Sequence, residues 1–299
     1  MIKIPVIDFA PFLYGKGTAQ QKVVQEIYVA CQEVGFFYLK NHGISQELID
    51  RLLKESRNFF SLPETVKNQM ERSPHTNCGY VGFQQEKLNP TQPWDLKEAF
   101  NAGLETVWLP ELREFRQAVT QFYELTTQLV APQILRAFAL ALELSPNFFD
   151  NKHGKNYFLR LLHYPPVTEI PQLGQLRAGE HADYGSISLL LQDAVGGLEI
   201  QTQQGEWITA PPMPGTLVVN VGDAMQHWTN NKLRSTLHRV AVPLDAKAKI
   251  SRYSIALFCD PNPGVELACL ETCCSSAHPP AYKPILMRDF LAKRLNATY

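Results

Sequence analysis

This sequence lacks the long apolar runs that would place it across a membrane. No stretch of its 299 residues approaches the roughly 18 consecutive apolar residues that a membrane-spanning helix needs. The opening segment, MIKIPVIDFAPFL, also lacks the continuous apolar core and small-residue cleavage site of a secretory signal peptide. We therefore expect a cytoplasmic protein with no membrane partner.

An excess of charge of either sign is missing as well. The 28 lysines and arginines nearly balance the 29 aspartates and glutamates, which leaves a net charge of −1. Proteins that bind nucleic acid or an anionic surface usually carry clustered positive charge. The balance gives no electrostatic reason to expect nucleic acid or an anionic membrane as partner, and the sequence carries no signal for an oligomeric state.

Cysteine is scarce, and its spacing fits neither a disulfide framework nor a zinc site. The six cysteines are too few for a disulfide-rich scaffold in a chain of this length. Cys269, Cys273 and Cys274 cluster near the C-terminus, but C-x3-C-C is not a standard zinc spacing and His278 does not complete one. We expect reduced thiols in a loop there.

The first half of the chain shows a mixture of helical and strand patterns. The predicted strands are residues 4–9 and 34–39, and the predicted helices are residues 19–33, 46–60 and 112–144. Ser45 has the position and the hydroxyl of an N-cap for the second of these helices. The third helix is expected to be kinked or interrupted near Pro132.

The pattern changes at Tyr157, where short β-rich runs begin to alternate with clusters of Pro, Gly and Asn. The predicted strands are residues 158–164, 186–191, 198–201, 216–221, 237–242 and 252–258, followed by a closing helix at residues 285–295. Many short strands between turns are typical of a double-sheet jelly roll or barrel. The predicted fold class is mixed α+β, with a double-stranded β-helix (jelly roll) core, a helical, mixed N-terminal region and a C-terminal helix.

No flexible linker divides the chain, so we expect one structural unit made of four parts. They are an N-terminal region of mixed helices and strands at 1–110, a long helical segment at 111–152, the jelly-roll core at 153–265, and a C-terminal loop and helix at 266–299. The change from helical to alternating periodicity marks the start of the core.

The triplet His181-Ala-Asp183 is the first candidate for chemistry. Residues i and i+2 of a strand point to the same face, so these two side chains can direct a nitrogen and an oxygen at one point. Two histidines and one carboxylate on one face of an octahedron hold Fe(II) in non-haem oxygenases. The triplet alone is also compatible with a buried histidine beside an aspartate at a strand end, so a third ligand has to be found.

Two histidines are candidates for that third ligand. His238 lies in the run LHRVAV, where alternation puts it on the same face as Val240 and Val242. His227 lies at the end of its own apolar run, just before a polar turn. We favour His238, because its neighbours place it on an apolar inner surface, and the pattern alone leaves His227 open.

Arg252, Ser254 and Phe258 fall on one face of the last predicted strand. An arginine inside a small barrel needs an anion, because an unpaired buried charge is costly, and its guanidinium matches a carboxylate. Tyr164 could donate its hydroxyl to the same carboxylate. The alternatives at these positions are a surface arginine on an edge strand and a core tyrosine.

Motifs in a fixed order run through nearly the whole chain. They are IPVID at 4–8, GFFY at 35–38, NHGI at 41–44, RLLHYPP at 160–166, HAD at 181–183, LLLQD at 189–193, GGL at 196–198, PGTLVVNVGD at 214–223, STLHRV at 235–240 and RYSI at 252–255. Together they resemble the isopenicillin N synthase-like branch of the Fe(II)/2-oxoglutarate-dependent dioxygenases, which also contains plant flavonoid and gibberellin oxidases and ethylene-forming enzymes.

The resemblance implies an enzyme that uses Fe(II), 2-oxoglutarate and O2. It would hydroxylate, desaturate or cyclise a small organic substrate while 2-oxoglutarate is converted to succinate and CO2. The residues that match the family's iron ligands, and so its catalytic centre, are His181, Asp183 and His238. Those that match its binders of the distal 2-oxoglutarate carboxylate are Arg252 and Ser254, assisted by Tyr164.

The residues expected to meet the substrate are less specific. Phe258 matches an aromatic residue that often lines the family's substrate pocket, and with Phe100 it would favour an apolar or aromatic molecule. Arg160, on the same strand face as Tyr164, could meet an acidic group. One departure from the family is Leu162, which stands where many plant members carry an asparagine near the other end of 2-oxoglutarate, and it leaves the orientation of the C1 carboxylate open.

Two other functions are compatible with the same motifs. Isopenicillin N synthase has this fold but uses no 2-oxoglutarate, and in an oxidase of that type the Arg-x-Ser pair would hold a carboxylate of the substrate itself. A small-molecule binding module that has lost catalysis is the second alternative, and an intact set of three metal ligands argues against it.

Overall fold

The computed structural model describes residues 3–298. The predicted N-terminal and C-terminal parts also include Met1, Ile2 and Tyr299, which lie outside the described residues. The strands of the described part are β1 (Val6–Asp8), β2 (Phe36–Lys40), β3 (Gly79–Val81), β4 (Glu98–Ala102), β5 (Tyr157–Tyr164), β6 (Ala178–His181), β7 (Ile187–Gln192), β8 (Leu198–Gln201), β9 (Trp207–Thr209), β10 (Thr216–Val221), β11 (His238–Val240), β12 (Arg252–Cys259), β13 (Glu266–Leu267) and β14 (Ile285–Leu286). The α-helices are α1 (Ala10–Tyr14), α2 (Thr18–Glu33), α3 (Gln46–Phe60), α4 (Glu64–Lys67), α5 (Arg113–Leu125), α6 (Ala131–Ala141), α7 (Asp223–Trp228) and α8 (Met287–Thr298).

None of the helices in the described part of the chain has both the length and the apolar composition of a membrane-spanning segment.

Two facing sheets form the centre of the fold. The major sheet has eight strands in the order β1-β2-β10-β7-β12-β5-β4-β3, and the minor sheet has the order β6-β11-β8-β9. One cluster of buried apolar side chains draws on both sheets, with Phe36, Val218 and Ala256 from the major sheet and Leu198 and Val240 from the minor one. The jelly-roll core that the short alternating strands predict is therefore confirmed.

The helices cover the outer face of the major sheet. Alternate residues of its strands, such as Leu39, Leu161 and Leu257, join a second apolar cluster that includes Ile27 of α2 and Phe138 of α6. Because both faces of this sheet are buried, central strands such as β7 and β10 are apolar at most positions. The inner face, between the two sheets, carries polar side chains such as Arg160, Ser188 and Arg252.

Most of the predicted elements are present, with differences at their ends. Ser45 caps α3 as expected, since its side chain accepts a hydrogen bond from the backbone N–H of Leu48. The long helical segment is divided by a π-helical turn at Thr126–Val130, and Pro132 lies in the first turn of α6, where a missing N–H is tolerated. The predicted closing helix begins at Met287, because the two residues before it pair as β14.

Candidate functional site

A cavity of about 420 Å³ opens between the two sheets. The side chains along the inner face of β12 line it, and so do those of the paired strand β5. The minor sheet contributes residues of β6, β8 and β11 to the opposite wall, and Leu291 of α8 lies at the cavity as well. The site is therefore built mainly from strands, whose pairing fixes the positions of its side chains.

Three possible metal ligands meet at this cavity. His181 ends β6, Asp183 follows two residues later, and His238 begins β11, where it pairs directly with His181. Asp183 Oδ1 lies 3.9 Å from His181 Nε2 and 3.7 Å from His238 Nε2, and all three ligand atoms lie within 4.8 Å of one another. This is the facial arrangement of two histidines and one carboxylate that suits non-haem Fe(II).

Both imidazoles are oriented by backbone carbonyls. Nδ1 of His181 lies 2.8 Å from the carbonyl oxygen of Gly179, and Nδ1 of His238 lies 3.1 Å from that of Thr236. A hydrogen on Nδ1 makes each of these contacts and leaves Nε2 as the lone-pair donor that a metal needs. Burial, followed by the charge of His238, lowers the pKa of His181 to about 3, so this ligand is neutral at ordinary pH.

Asp183 is held as a carboxylate by its neighbours. Burial opposes its ionisation, but the adjacent histidines and hydrogen bonds from Asn220 and Ser188 hold its pKa below the usual value. Asn220 Nδ2 donates to Oδ2 at 2.7 Å, which leaves Oδ1 facing the histidines. The three side chains thus have the chemistry, protonation and orientation that bound Fe(II) requires.

The alternative ligand His227 lies elsewhere. It belongs to the short helix α7, and its ring stacks on Tyr282 at 4.6 Å and packs edge-on against Phe290. Within residues 3–298 the group of metal-binding side chains is formed by His181, Asp183 and His238. The choice of His238 over His227 therefore agrees with the geometry.

Arg252 is a buried cation at the far end of the cavity. It is 1% exposed, its Nη1 donates to Ser254 Oγ at 3.1 Å, and its Nη2 donates to Gln192 Oε1 at 3.3 Å. The guanidinium lies over the ring of Tyr164, with 4.7 Å to the ring centre. No carboxylate forms an ion pair with it in the described part of the chain, and its Nε has no hydrogen-bond acceptor. This neighbourhood suits a bound carboxylate.

Arg160 lines the cavity as expected, but it forms an ion pair with an acidic residue of the chain itself. Its Nη2 lies 2.7 Å from Glu86 Oε2, and the same oxygen lies 3.0 Å from Lys97 Nζ. Lys97 also contacts Asp95 at 2.7 Å. Burial opposes protonation of Lys97, but Glu86 and Asp95 hold its pKa above the usual value. This wall of the cavity therefore carries four charges that balance.

The two predicted aromatic substrate contacts lie in different places. Phe258 lines the cavity and faces Phe158 across the β5–β12 pair, with 5.7 Å between the ring centres. Phe100 does not line the cavity. It is fully buried on the other face of the sheet, where it packs against Phe59 and Phe115, so it belongs to the core beneath the helices.

The sequence analysis did not identify two residues of the site, Glu86 and Asp260. Glu86 lies in an irregular segment between β3 and β4, and nothing in its surroundings predicts a contact with Arg160. Asp260 continues the alternation of β12 by one step beyond Phe258 and also lines the cavity, so the period of two could have indicated it. The cysteine cluster is separate from the site, and its thiols are free.

Comparison with known proteins agrees with this set of site residues. Residues 155–261 match the family model of the 2OG-Fe(II) oxygenase superfamily, and residues 4–125 match that of the N-terminal region of non-haem dioxygenase in morphine synthesis. The 2-oxoglutarate-Fe(II) type oxidoreductase hxnY of Emericella nidulans is 32% identical over 99% of this chain and 90% of its own length. The proline hydroxylase buaE of Petromyces alliaceus is 35% identical over 90% of this chain and 91% of its own.

Solved structures show the same likeness in three dimensions. The crystal structure of a full-length Neurospora crassa protein in complex with alpha-KG (2-oxoglutarate) superposes with a TM-score of 0.90 at 34% identity, covering 98% of this chain and 96% of that one. The same Neurospora protein in complex with alpha-KG and thymine gives a TM-score of 0.89 at 34% identity over the same shares of both chains.

Proposed function

Because the chain belongs to the isopenicillin N synthase-like family of 2OG-Fe(II) oxygenases, an oxidoreductase family that uses Fe(II) and 2-oxoglutarate, we propose that it hydroxylates a small organic molecule. Desaturation or ring closure of that molecule would use the same site. The observation that carries the proposal is the pairing of a facial triad with a buried arginine that has no carboxylate partner in the described residues.

In this proposal His181, Asp183 and His238 hold the iron through Nε2, Oδ1 and Nε2. When bound, Fe(II) and 2-oxoglutarate supply the activation of O2, and 2-oxoglutarate leaves as succinate and CO2. The chain keeps the three ligand atoms in place through carbonyl contacts to both imidazoles and through the amide of Asn220. Outer contacts of this kind orient metal ligands and contribute to metal affinity.

Arg252, Ser254 and Tyr164 are the proposed binders of the distal carboxylate of 2-oxoglutarate. The guanidinium offers a planar fork of N–H donors, and the Ser254 hydroxyl beside it adds another. Tyr164 supports the guanidinium from one face. Leu162 pairs with Ser254 across the strands and lines the cavity without a polar group, so it would add no hydrogen bond to the C1 end of the cosubstrate.

Apolar side chains line the rest of the cavity around the proposed position of 2-oxoglutarate. The residues that do so are Phe36, Leu88, Leu190, Leu198 and Val240. A shell of this kind excludes water and strengthens each polar contact inside it. It would also protect a reactive centre from side reactions.

The substrate would lie on the side of Phe258 and Phe158. An aromatic pair favours a flat or apolar molecule, and the size of the cavity suits a small one. The Neurospora crassa protein, which is similar over its whole length, is known in complex with thymine, and buaE is a proline hydroxylase. These relatives support a small cyclic substrate for this chain.

The test is the effect of Arg252→Lys on 2-oxoglutarate. Lysine keeps the charge but loses the bidentate fork. A charge-assisted hydrogen bond contributes about 1.5–3 kcal/mol, or roughly ten- to 150-fold in affinity. We expect the apparent KM for 2-oxoglutarate to rise by that order, with Fe(II) affinity unchanged, in an assay of succinate release.

Arg136→Lys is the matched control, because Arg136 is a half-exposed residue of α6 that pairs with Asp150. If Arg252→Lys impaired only the organic substrate and turnover released no succinate, the arginine would hold a substrate carboxylate, as in an oxidase that uses no 2-oxoglutarate. An absence of O2 uptake by the iron-loaded protein over a broad substrate panel would indicate a binding module.

A further inference from the structure

The inner face of β12 ends in a carboxyl group that the proposed mechanism does not use. Alternate residues of this strand line the cavity, and Asp260, directly after the strand, continues the series. Asp260 is 9% exposed, so nine-tenths of it is buried while it still borders the cavity. It is therefore placed to meet whatever molecule fills the space.

The strand register locates Asp260 relative to the metal ligands. Phe258 pairs with Ser188, and the side chain of Ser188 hydrogen-bonds Asp183, so Phe258 marks the level of the triad. At about 3.3 Å per residue along the strand, the backbone of Arg252 lies roughly 20 Å to one side of Phe258, with its guanidinium reaching back to Ser254, and the backbone of Asp260 lies roughly 7 Å to the other side. Asp260 is thus on the opposite side of the triad from the proposed 2-oxoglutarate binder, beside the Phe158–Phe258 pair.

Asp260 differs from the other buried charged residues that line the cavity, because no partner is found for its side chain in the described part of the chain. Within residues 3–298 its side chain makes no hydrogen bond and no ion pair, whereas Lys97 and Arg160 are both engaged with Glu86. Its Oδ1 packs against Gly185, where a Cβ would lie only 2.0 Å away. Burial, and then the charge of Asp183, raise the pKa of this carboxyl to about 7, in keeping with its isolation.

We propose that Asp260 is a specificity residue that accepts a hydrogen bond from an N–H group of the substrate. The proposal rests on the proposed function. The nitrogen would belong to an amine, to an amide or to a ring N–H. The charges of Lys97, Arg160, Glu86 and Asp95 balance one another, so the unpaired acceptor at this end favours a donor and disfavours an acidic molecule.

The test uses small aromatic probes that differ only in the donor. Benzylamine offers an ammonium group, benzamide offers amide N–H groups, and N,N-dimethylbenzamide and acetophenone offer none. Binding to the protein loaded with Fe(II) and 2-oxoglutarate is titrated without O2. We expect the two N–H probes to bind the wild type about tenfold or more tightly than the donor-free ones.

Two substitutions distinguish a charged ammonium group from a neutral amide as the N–H donor. Asp260→Asn keeps an oxygen acceptor in nearly the same shape, so benzamide should stay within a few-fold of its wild-type affinity while benzylamine loses tenfold or more. Asp260→Ala should abolish the preference for both. Asp50→Asn, on the exposed face of α3, is the matched control and should bind all four probes as the wild type does.

Three outcomes would overturn the role of Asp260. They are an unchanged preference in Asp260→Ala, tighter binding of the donor-free probes to the wild type, and a failure of both N–H probes to bind it. A near-isosteric Asn keeps the test valid if the Ala variant does not fold. Binding of 2-oxoglutarate to the wild type is measured in the same titration, and its failure would count against the proposed function instead.

Discussion

Asn220 shows how one amide determines which oxygen of Asp183 is free to bind metal. It donates to Oδ2 at 2.7 Å from the neighbouring strand β10. We predict that Asn220→Ala lowers Fe(II) affinity by about ten- to 100-fold, which is typical when an outer contact of a metal ligand is removed. The measurement is a metal titration of the protein in the absence of O2.

The control for this prediction is Asn58→Ala. Asn58 is an exposed residue of α3 that hydrogen-bonds Glu55, remote from the cavity, and its removal should leave Fe(II) affinity unchanged. Equal metal affinity of Asn220→Ala and the wild type would show that Asp183 is oriented by its other contacts alone.

His153 is a buried histidine whose protonation opposes folding. Its Nε2 lies 2.9 Å from Ser186 Oγ and its Nδ1 lies 3.2 Å from the carbonyl oxygen of Phe149. Burial lowers its pKa from 6.5 to about 4. Between these values the unfolded chain binds the extra proton, so this residue reduces the free energy of unfolding as the pH falls below about 6.5.

We predict that His153→Gln flattens the pH dependence of stability. Relative to the wild type, the variant should gain about 2 kcal/mol between pH 8 and pH 5, because one pKa unit corresponds to about 1.4 kcal/mol. Urea unfolding at several pH values measures this difference. His278→Gln, in an exposed loop, should keep the wild-type slope, and a wild-type slope in His153→Gln would disprove the assignment.

The predictable part of the site consists of residues whose spacing fixes their direction. His181 and Asp183, like Arg252 and Ser254, are two residues apart on or next to a strand, so the sequence indicates that each pair shares a face. Glu86 could not be predicted in this way, because its contact with Arg160 spans 74 residues and depends on the path of an irregular segment. Phe100, which was expected to meet the substrate, packs against Phe59 and Phe115 instead, and the strand β4 that directs it there was not predicted.

The failure to predict β4 has a physical cause at the scale of the element. Its sequence, EAFNA, begins with a glutamate and contains an asparagine, which are uncommon in a buried strand. Glu98 is nevertheless buried, because Lys67 lies 2.6 Å from one of its oxygens and His163 lies 2.7 Å from the other. Tertiary partners of this kind compensate the charge and cannot be seen in a local pattern. Among the strands of the core, β8 and β10 were predicted with their exact ends, and the ends of β5, β7 and β12 were predicted to within one residue.

In the turn between β6 and β7, the backbone closely approaches the side chain of Asp260. Gly185 lies there against Asp260 at the end of β12, and a Cβ at Gly185 would lie 2.0 Å from Asp260 Oδ1. We predict that Gly185→Ala costs about 1–3 kcal/mol of unfolding free energy, which is typical of overpacking. It should also weaken the binding of N–H probes, because the carboxyl must move.

Urea unfolding and probe titration measure the two effects. Gly264→Ala is the matched control, since a Cβ there meets no atom within 4 Å, and its stability should stay within about 0.5 kcal/mol of the wild type. A Gly185→Ala protein with unchanged stability and probe affinity would show that Asp260 has room to rotate away.

At the scale of the whole molecule, metal binding should raise the Tm of the protein. The three ligands come from β6, from the segment after it and from β11, so an ion would connect both strands of this pair. A ligand at about 100 times its Kd stabilises the folded state by about 2.7 kcal/mol, which in a chain of this size raises Tm by roughly 5 °C. We predict a rise of this order when Fe(II) is added without O2, and its reversal by a chelator.

The same experiment on Asp183→Ala provides the control. This variant should show no rise in Tm with Fe(II), because two histidines alone bind the ion weakly. A rise of equal size in the variant would indicate that the stabilising ion binds elsewhere.

We propose that the four parts of the chain form one unit, and the order of the major sheet supports this. Strands from the first part stand at both ends of the sheet, with β1 and β2 beyond β10 on one side and β3 and β4 beyond β5 on the other. Neither pair could leave without uncovering an edge of the core.

That sheet order also determines when the protein can fold during its synthesis. Leu39 of β2 pairs with Leu217 of β10, so about 180 residues must be made in between, which takes roughly 10–35 s at ~5–20 residues per second. Throughout this time the apolar strand β2 can pair with β1 on one side, but its other edge lacks the partner β10. Contacts between such distant positions also slow folding in general. The nascent chain therefore presents an unpaired strand edge for most of its elongation, and this is the stage at which the protein is most exposed to aggregation and most dependent on chaperones.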